Sequence, residues 1–342
     1  MTPARGPEDH STMTSAAAGA RSSARDGLGR IGNRLIDDRT VLLATLIGGL
    51  SLYMWLRYGS RFINEANLSS VLLDSAQAGI LTVGMTILMI GASIDLSVGA
   101  VLALAGIVAG ILVKTYLIPV AIAIPVGLFA GAVCGAINGL IVTRLHINAL
   151  ITTLATLGIF RGVSQLISGT GVTTIGSGFS WLGQSSFLGV QYPFWFMLGL
   201  AILFTFLTNR SRFFRQFYFI GGNDRAARLS GISPDRVVFL GFILSGTLAG
   251  LAGILTASRL DSAIVSAGTG VELKVITAAV LGGAALRGGS GSIPGAFLGA
   301  IFISMLANAL IISKVEPYWQ QIVVGVVLIG AVSTEYLQRR RA

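Results

Sequence analysis

Charge is scarce in this 342-residue chain, where Asp, Glu, Lys and Arg together supply 11% of the residues, against about a quarter in ordinary soluble domains. A nucleic-acid-binding protein and a soluble enzyme with a polar shell are both excluded. The only cysteine, Cys134, lies inside an apolar run, so no intrachain disulfide can form and a secreted disulfide scaffold is excluded as well. Histidine is almost as rare: His10 is near the start and His146 follows Arg144 alone, which leaves no metal cluster or histidine-based triad to assemble. Nucleotide chemistry is missing too. Lys114-Thr115 follows Val113 where a phosphate-binding loop needs glycine, and Gly288-Gly289-Ser290-Gly291 has the composition of a turn. No cofactor and no ATP site are expected within the chain.

What is abundant is apolar. Hydrophobic residues make up 53% of the chain, with 45 glycines and a mean hydropathy of +0.80, which indicates an all-α polytopic membrane protein. Residues 1–39, rich in Ala, Gly, Ser, Thr and Arg without apolar period, read as a disordered cytoplasmic tail. The transmembrane domain is expected over 40–338 and a basic cytoplasmic end over 339–342. About 20 apolar residues cross the hydrocarbon core as a helix, and ten segments approach that length: Val41–Arg57, Val71–Ser93, Asp95–Val113, Pro119–Val142, Ala149–Ser168, Tyr192–Thr208, Val237–Ala257, Val275–Leu286, Pro294–Ser313 and Tyr318–Leu337. The eighth is short and must either extend through Glu272 and Lys274 or be broken.

Ten crossings put both termini on one side. With that side cytoplasmic, its segments hold seventeen of the basic residues, including Arg210, Arg212, Arg215, Arg225, Arg228 and Arg236 in one loop; the other side holds six. The positive-inside rule favours this orientation. Glycines recur every fourth residue in the fourth span, at Gly127, Gly131, Gly135 and Gly139, and give a flat face that lets another helix approach. A weak internal repeat is also visible. Asn138-Gly139-Leu140-Ile141 matches Asn308-Ala309-Leu310-Ile311, and Ala92-Ser93-Ile94-Asp95 matches the longer Ala257-Ser258-Arg259-Leu260-Asp261. The matched segments lie five spans apart and so face opposite sides, as inverted transporter repeats require.

Few polar residues interrupt the spans. Asp95 either caps the third helix, accepting from amides near Ser97 and Val98, or lines a pathway. Asn138, Asn148 and Asn308 either hydrogen-bond between helices or touch a hydroxylated cargo. Between the sixth and seventh spans, Gly221-Gly222-Asn223-Asp224-Arg225-Ala226-Ala227-Arg228-Leu229-Ser230-Gly231-Ile232 reads as a short helix flanked by turns, and Pro234 stops it from running on. A soluble partner could push on such a helix. Two other classes stay open: an ion-coupled secondary transporter, for which only Asp74 and Asp95 offer intramembrane carboxylates, and a passive channel or membrane scaffold.

The runs Gly84-Met85-Thr86 through Ile94-Asp95-Leu96-Ser97-Val98-Gly99, Gly221-Gly222-Asn223 through Arg228-Leu229-Ser230-Gly231-Ile232, and Ala267-Gly268-Thr269-Gly270 with Val280-Leu281-Gly282-Gly283 resemble the permease subunits of bacterial ribose/xylose/galactose-type ABC importers. The resemblance covers about residues 40–338 and implies a ten-helix inner-membrane permease that dimerises in the lipid membrane, two identical copies being the expected form. It also implies a periplasmic sugar-binding protein as donor and a cytoplasmic ABC ATPase as motor. The ATPase docking loop maps onto Gly221, Gly222, Asn223, Asp224, Arg225, Arg228, Ser230 and Gly231, with Arg225 where such loops commonly carry a small residue. The external loop Gly169–Gln191 is expected to seat the binding protein or to gate the outer mouth. No nucleic acid is expected as a partner.

Overall fold

The computed structural model describes residues 39–341. Of the tail expected over residues 1–39, residues 1–38 lie outside the described residues, as does the final Ala342, while Arg39 already belongs to the first described helix. Thirteen α-helices follow in order: α1 (Arg39–Tyr58), α2 (Glu65–Ile90), α3 (Val98–Lys114), α4 (Val120–Arg144), α5 (Ala149–Ser168), α6 (Ser177–Gln184), α7 (Tyr192–Arg210), α8 (Arg212–Gly222), α9 (Asp224–Leu229), α10 (Pro234–Leu260), α11 (Val271–Leu281), α12 (Ile293–Ile312) and α13 (Pro317–Arg341). Four short strands, β1 (Gly171–Thr173), β2 (Ser186–Phe187), β3 (Val190–Gln191) and β4 (Ser262–Ile264), form two antiparallel pairs, β1 with β4 and β2 with β3.

Each of the ten expected spans corresponds to one of these helices, but seven helices are long and apolar enough to cross a membrane: α1 with its following 3-10 turn, α2, α4, α5, α7, α10 and α12. The apolar lengths of α3 and α13 are shorter, and α11 has 11 residues. Several boundaries move for local chemical reasons. The second span begins at Glu65, six residues before the apolar run, because the Asn64 side chain accepts the Asn67 amide at 2.7 Å and caps the helix there. Asn148 caps α5 in the same way, accepting from Leu150 at 2.8 Å. The third span does not start at Asp95. Gly91 to Ser97 forms a non-helical link, with Ala92 in the left-handed region at φ 58°, and α3 begins only at Val98. The eighth span extends back through Lys274 and Glu272 to Val271 and ends at Leu281, five residues earlier than Leu286.

α2 and α10 form the centre, with 83% and 67% of their apolar windows buried, whereas α1 at 11% is peripheral. α4 lies along α10 with its glycine face inward. A Cβ on Gly131 would stand 2.5 Å from the Gly246 carbonyl oxygen, and one on Gly135 would strike the Phe242 carbonyl. Without side chains between them the two backbones pack in direct contact over several turns.

The two non-helical links enter the bundle from opposite ends. Gly91–Ser97 leaves α2 beside α8, because Ile90 lies against Gly221 and Gly289. Asp261–Gly270 leaves the far end of α10. The second link meets the start of α3, where a Cβ on Gly99 would collide with the Gly268 carbonyl and lie 3.1 Å from Glu272 Oε2. α3 and α11 thus start at a common interior level from oppositely directed links, the arrangement of discontinuous helices in membrane transporters.

Candidate functional site

The segment between α7 and α10 builds a compact unit at one end of the bundle. Its arginine-rich stretch is not simply a loop, since Arg212–Gly222 is the helix α8. Phe213, Phe214 and Phe217 turn toward one another with ring centroids 5.2–6.4 Å apart, while Arg212 and Arg215 are exposed. Phe217 is 1% exposed and wedges between Gly91 and Gly241, 2.8 Å from where a Cβ on either would be. Tyr218 Oη donates to the Gly291 carbonyl at 3.0 Å. Gly221 lies flush on Ile90 and Gly289, and the Gly289 amide donates to the Ile90 carbonyl at 2.9 Å.

The helix read between Gly222 and Gly231 is α9. Asn223 is its N-cap, its side chain accepting the Ala226 amide at 3.0 Å, and Gly231 leaves it at φ 82°, a left-handed turn that a β-branched residue would strain. Arg228 ties α9 to the start of α10. Its Nε meets Asp224 Oδ2 at 3.0 Å, while Nη1 and Nη2 reach both oxygens of Asp235 at 3.2 and 3.1 Å. Asp235 and then Asp224 hold the guanidinium above its ordinary range. Arg225 is exposed, Ser230 Oγ donates to the Ala226 carbonyl at 2.9 Å, and Leu229 is 91% exposed. α9 is therefore a short, firmly tethered projection with an apolar knob among charges.

Asp95 and Asn138 come together in the interior. Asp95 is fully buried and Oδ1 accepts from the Ser97 amide at 2.9 Å and the Ser97 hydroxyl at 2.6 Å; Asn138 Nδ2 lies 3.5 Å away and donates to Ser97 Oγ at 2.8 Å. Ser245 Oγ of α10 donates to Oδ2 at 3.3 Å. Asp95 is thus a node joining the α2–α3 link to α4 and α10, while the N-cap residue of α3 is Ser97. Asn308 is elsewhere, donating to Asn67 Oδ1 at 2.7 Å between α12 and α2. Asn138 Oδ1 and Asn308 Oδ1 are buried without a partner among the described residues. Asp74 of α2 is paired with Lys274 of α11.

The opposite end is closed by the Gly169–Gln191 segment, which is fastened rather than loose. β1 pairs with β4, Asp261 Oδ1 accepts from the Gly176 amide at 2.8 Å and the Ser180 hydroxyl at 2.7 Å, and Ser258 Oγ donates to the Phe179 carbonyl at 2.6 Å. Arg161 of α5 donates to the carbonyls of Val265 and Ala267, the latter at 2.7 Å, anchoring the second interior link.

Sequence reading missed α8, Leu229, Asp235 and the Arg161 anchor. The Phe213-Phe214-x-x-Phe217 spacing with arginines between is an amphipathic-helix signal that would have revealed α8. Nothing in the sequence pairs Arg161 with carbonyls a hundred residues away.

No solved structure matches this chain. A model of the family described as branched-chain amino acid transport system / permease component matches residues 67–332, from the start of α2 to the last turns of α13. Among curated proteins, the ribose import permease RbsC of Escherichia coli (strain K12) is 38% identical over 276 residues, 79% of this chain and 86% of the relative. The autoinducer 2 import system permease LsrC of Salmonella typhimurium (strain LT2) is 35% identical over 273 residues, 79% of this chain and 78% of the relative. The matched region takes in the glycine seam, both interior links and the tethered α8–α9 unit, and on that extent the chain belongs to the permease-component family of branched-chain amino acid transport systems.

Proposed function

We propose that the chain is the membrane-spanning permease of a binding-protein-dependent ABC importer that carries a monosaccharide or related small polyol across the inner membrane. The observation that carries this reading is α9: a short helix with an exposed Leu229, fixed to α10 by the Arg228 clamp and seated through Gly221 on the end of α2. Such a projection suits a groove on a separate cytoplasmic ATPase. The α9 end is then cytoplasmic, as its cluster of Arg210, Arg212, Arg215, Arg225, Arg228 and Arg236 favours, and both termini share that side. A periplasmic binding protein delivers the cargo to the end closed by α6, and a second copy of the chain completes the conduit.

In this reading a push on α9 reaches α2 at Ile90 and the α2–α3 link at Gly91, then α4 and α10 through Asp95 and Asn138. From there it passes to the opposite link where Gly99 meets Gly268. Cargo passes when these packed elements exchange one arrangement for another, as alternating access requires; Asp95, Asn138 and Asn308 stand where the helices must part. An ion-coupled carrier is less well supported, because Asp74 is already neutralised by Lys274.

The test is uptake of labelled pentoses and hexoses into vesicles holding the full chain with its ATPase and receptor. Leu229→Asp should abolish ATP-dependent uptake and leave membrane insertion intact; undiminished uptake would overturn the docking assignment.

A further inference from the structure

On the face opposite α9, one side of α6 and the end of α10 enclose an open depression of about 420 Å³, lined by Ser177, Ser180, Trp181, Gln184, Ser185 and Asp261. That volume lies within the roughly 300–1,000 Å³ typical of small-ligand sites. Its lining differs from the apolar surface around it. Trp181 is 60% exposed, and its indole is held edge-on by Tyr192 with ring centroids 5.6 Å apart. A large aromatic ring is thus presented at the surface in a defined orientation beside these polar groups.

The polar groups around the ring are also fixed in place with part of their capacity unused. Asp261 spends Oδ1 on the Gly176 amide and the Ser180 hydroxyl, and Oδ2 takes no side-chain hydrogen bond among the described residues. The Ser180 hydroxyl first and then the Gly176 amide, with smaller help from the Lys114 charge and the Ile175 amide, hold its carboxyl below the usual range, so at neutral pH it is an ionised acceptor. Gln184 gives its NH₂ group to the Arg259 carbonyl at 3.0 Å, which fixes the side chain and leaves Oε1 as an acceptor. Ser177 is exposed and adds a hydroxyl that both donates and accepts.

A flat aromatic face beside a carboxylate, an amide oxygen and hydroxyls has the chemistry to bind a small polyhydroxylated ring. The ring's C–H face covers the indole, and its hydroxyls donate to Asp261 and Gln184. An anion would meet Asp261 unfavourably, and a purely apolar ligand would leave the acceptors desolvated and unpaired.

We infer that this depression is a landing site for a monosaccharide, built by Trp181, Gln184 and Asp261, where cargo rests between the soluble receptor and the closed interior. The inference rests on the proposed sugar cargo and adds where, and by which groups, the chain itself first holds it. Because the depression is open, binding is weak and exchange fast.

Saturation-transfer NMR on the full chain in lipid nanodiscs, without receptor, tests this with D-ribose, D-xylose and D-galactose at millimolar concentration. At least one sugar should receive saturation at its ring C–H protons. Trp181→Ala and Gln184→Ala should each cut that signal fivefold or more, Trp181→Tyr should retain most of it, and Trp319→Ala, at an exposed tryptophan outside the depression, should leave it unchanged. Absence of transfer to all three sugars would overturn the site, as would transfer that survives Trp181→Ala. So would a Trp181→Ala variant that weakens receptor binding alone. ATP-dependent uptake by the complete importer, measured in parallel, separates the two ideas: normal import without direct sugar contact sinks the landing site only, while loss of import in the wild type sinks the cargo reading itself.

Discussion

Replacing Asp95 by alanine removes the acceptor around which the interior is organised. The Ser97 amide at 2.9 Å and the Ser97 hydroxyl at 2.6 Å lose their partner, and Ser245 Oγ at 3.3 Å must turn elsewhere. Asn138 keeps its bond to Ser97 Oγ at 2.8 Å and is spared the full loss. A buried donor left unsatisfied costs about 1–3 kcal/mol, so two stranded donors and the vacated volume bring the total to about 3–5 kcal/mol. Asparagine preserves an acceptor oxygen at the same place and should cost about half as much. Cys134 provides the probe. It is the only cysteine in the chain, 4% exposed, and a maleimide dye that fluoresces on reacting with it reports unfolding directly. At roughly 2 °C per kcal/mol for a protein of this size, Asp95→Ala should melt about 6–10 °C below wild type, with Asp95→Asn between them. An alanine variant melting with wild type, or an asparagine variant melting below it, would refute the node.

Other substitutions probe the remaining contacts. Gly131→Leu forces a side chain into the Gly246 backbone and should prevent a folded, monodisperse product in gel filtration, whereas Gly158→Leu, where nothing lies within 4 Å, should behave as wild type. Lys274→Met leaves Asp74 unpaired and should lower the melting midpoint; adding Asp74→Asn should recover part of the loss, since removing both charges costs less than stranding one. Arg228→Ala breaks an exposed, solvent-screened clamp, so melting should hardly move while ATP-dependent uptake falls several-fold; unchanged uptake would detach the clamp from coupling.

How much of this was legible in the sequence depends on the range of the forces involved. The helical segments announced themselves through unbroken apolar runs, and α9 through Asn223, Gly231 and Pro234, which act within a few residues. The Gly127 to Gly139 spacing displayed a flat face, but its partner on α10 is more than a hundred residues away. Helix starts were misjudged where a polar cap precedes the apolar run, as at Asn64, or where an interior link replaces a helical turn, as at Gly91–Ser97. Asp95 reads in sequence as a helix cap or a pathway residue; only packing brings Asn138 and Ser245 to it. The Gly169–Gln191 segment reads as a loop because Asp261, which fastens it, lies seventy residues beyond its end.

The central proposal is that a separate ATPase drives the chain from the α9 face. Its most direct test is accumulation of labelled pentoses and hexoses in proteoliposomes, with the chain alone and with its ATPase and receptor added. Accumulation should require both partners and ATP, and should persist in the presence of an uncoupler. Concentration of any sugar by the chain alone, driven by an ion gradient and indifferent to ATP, would contradict it.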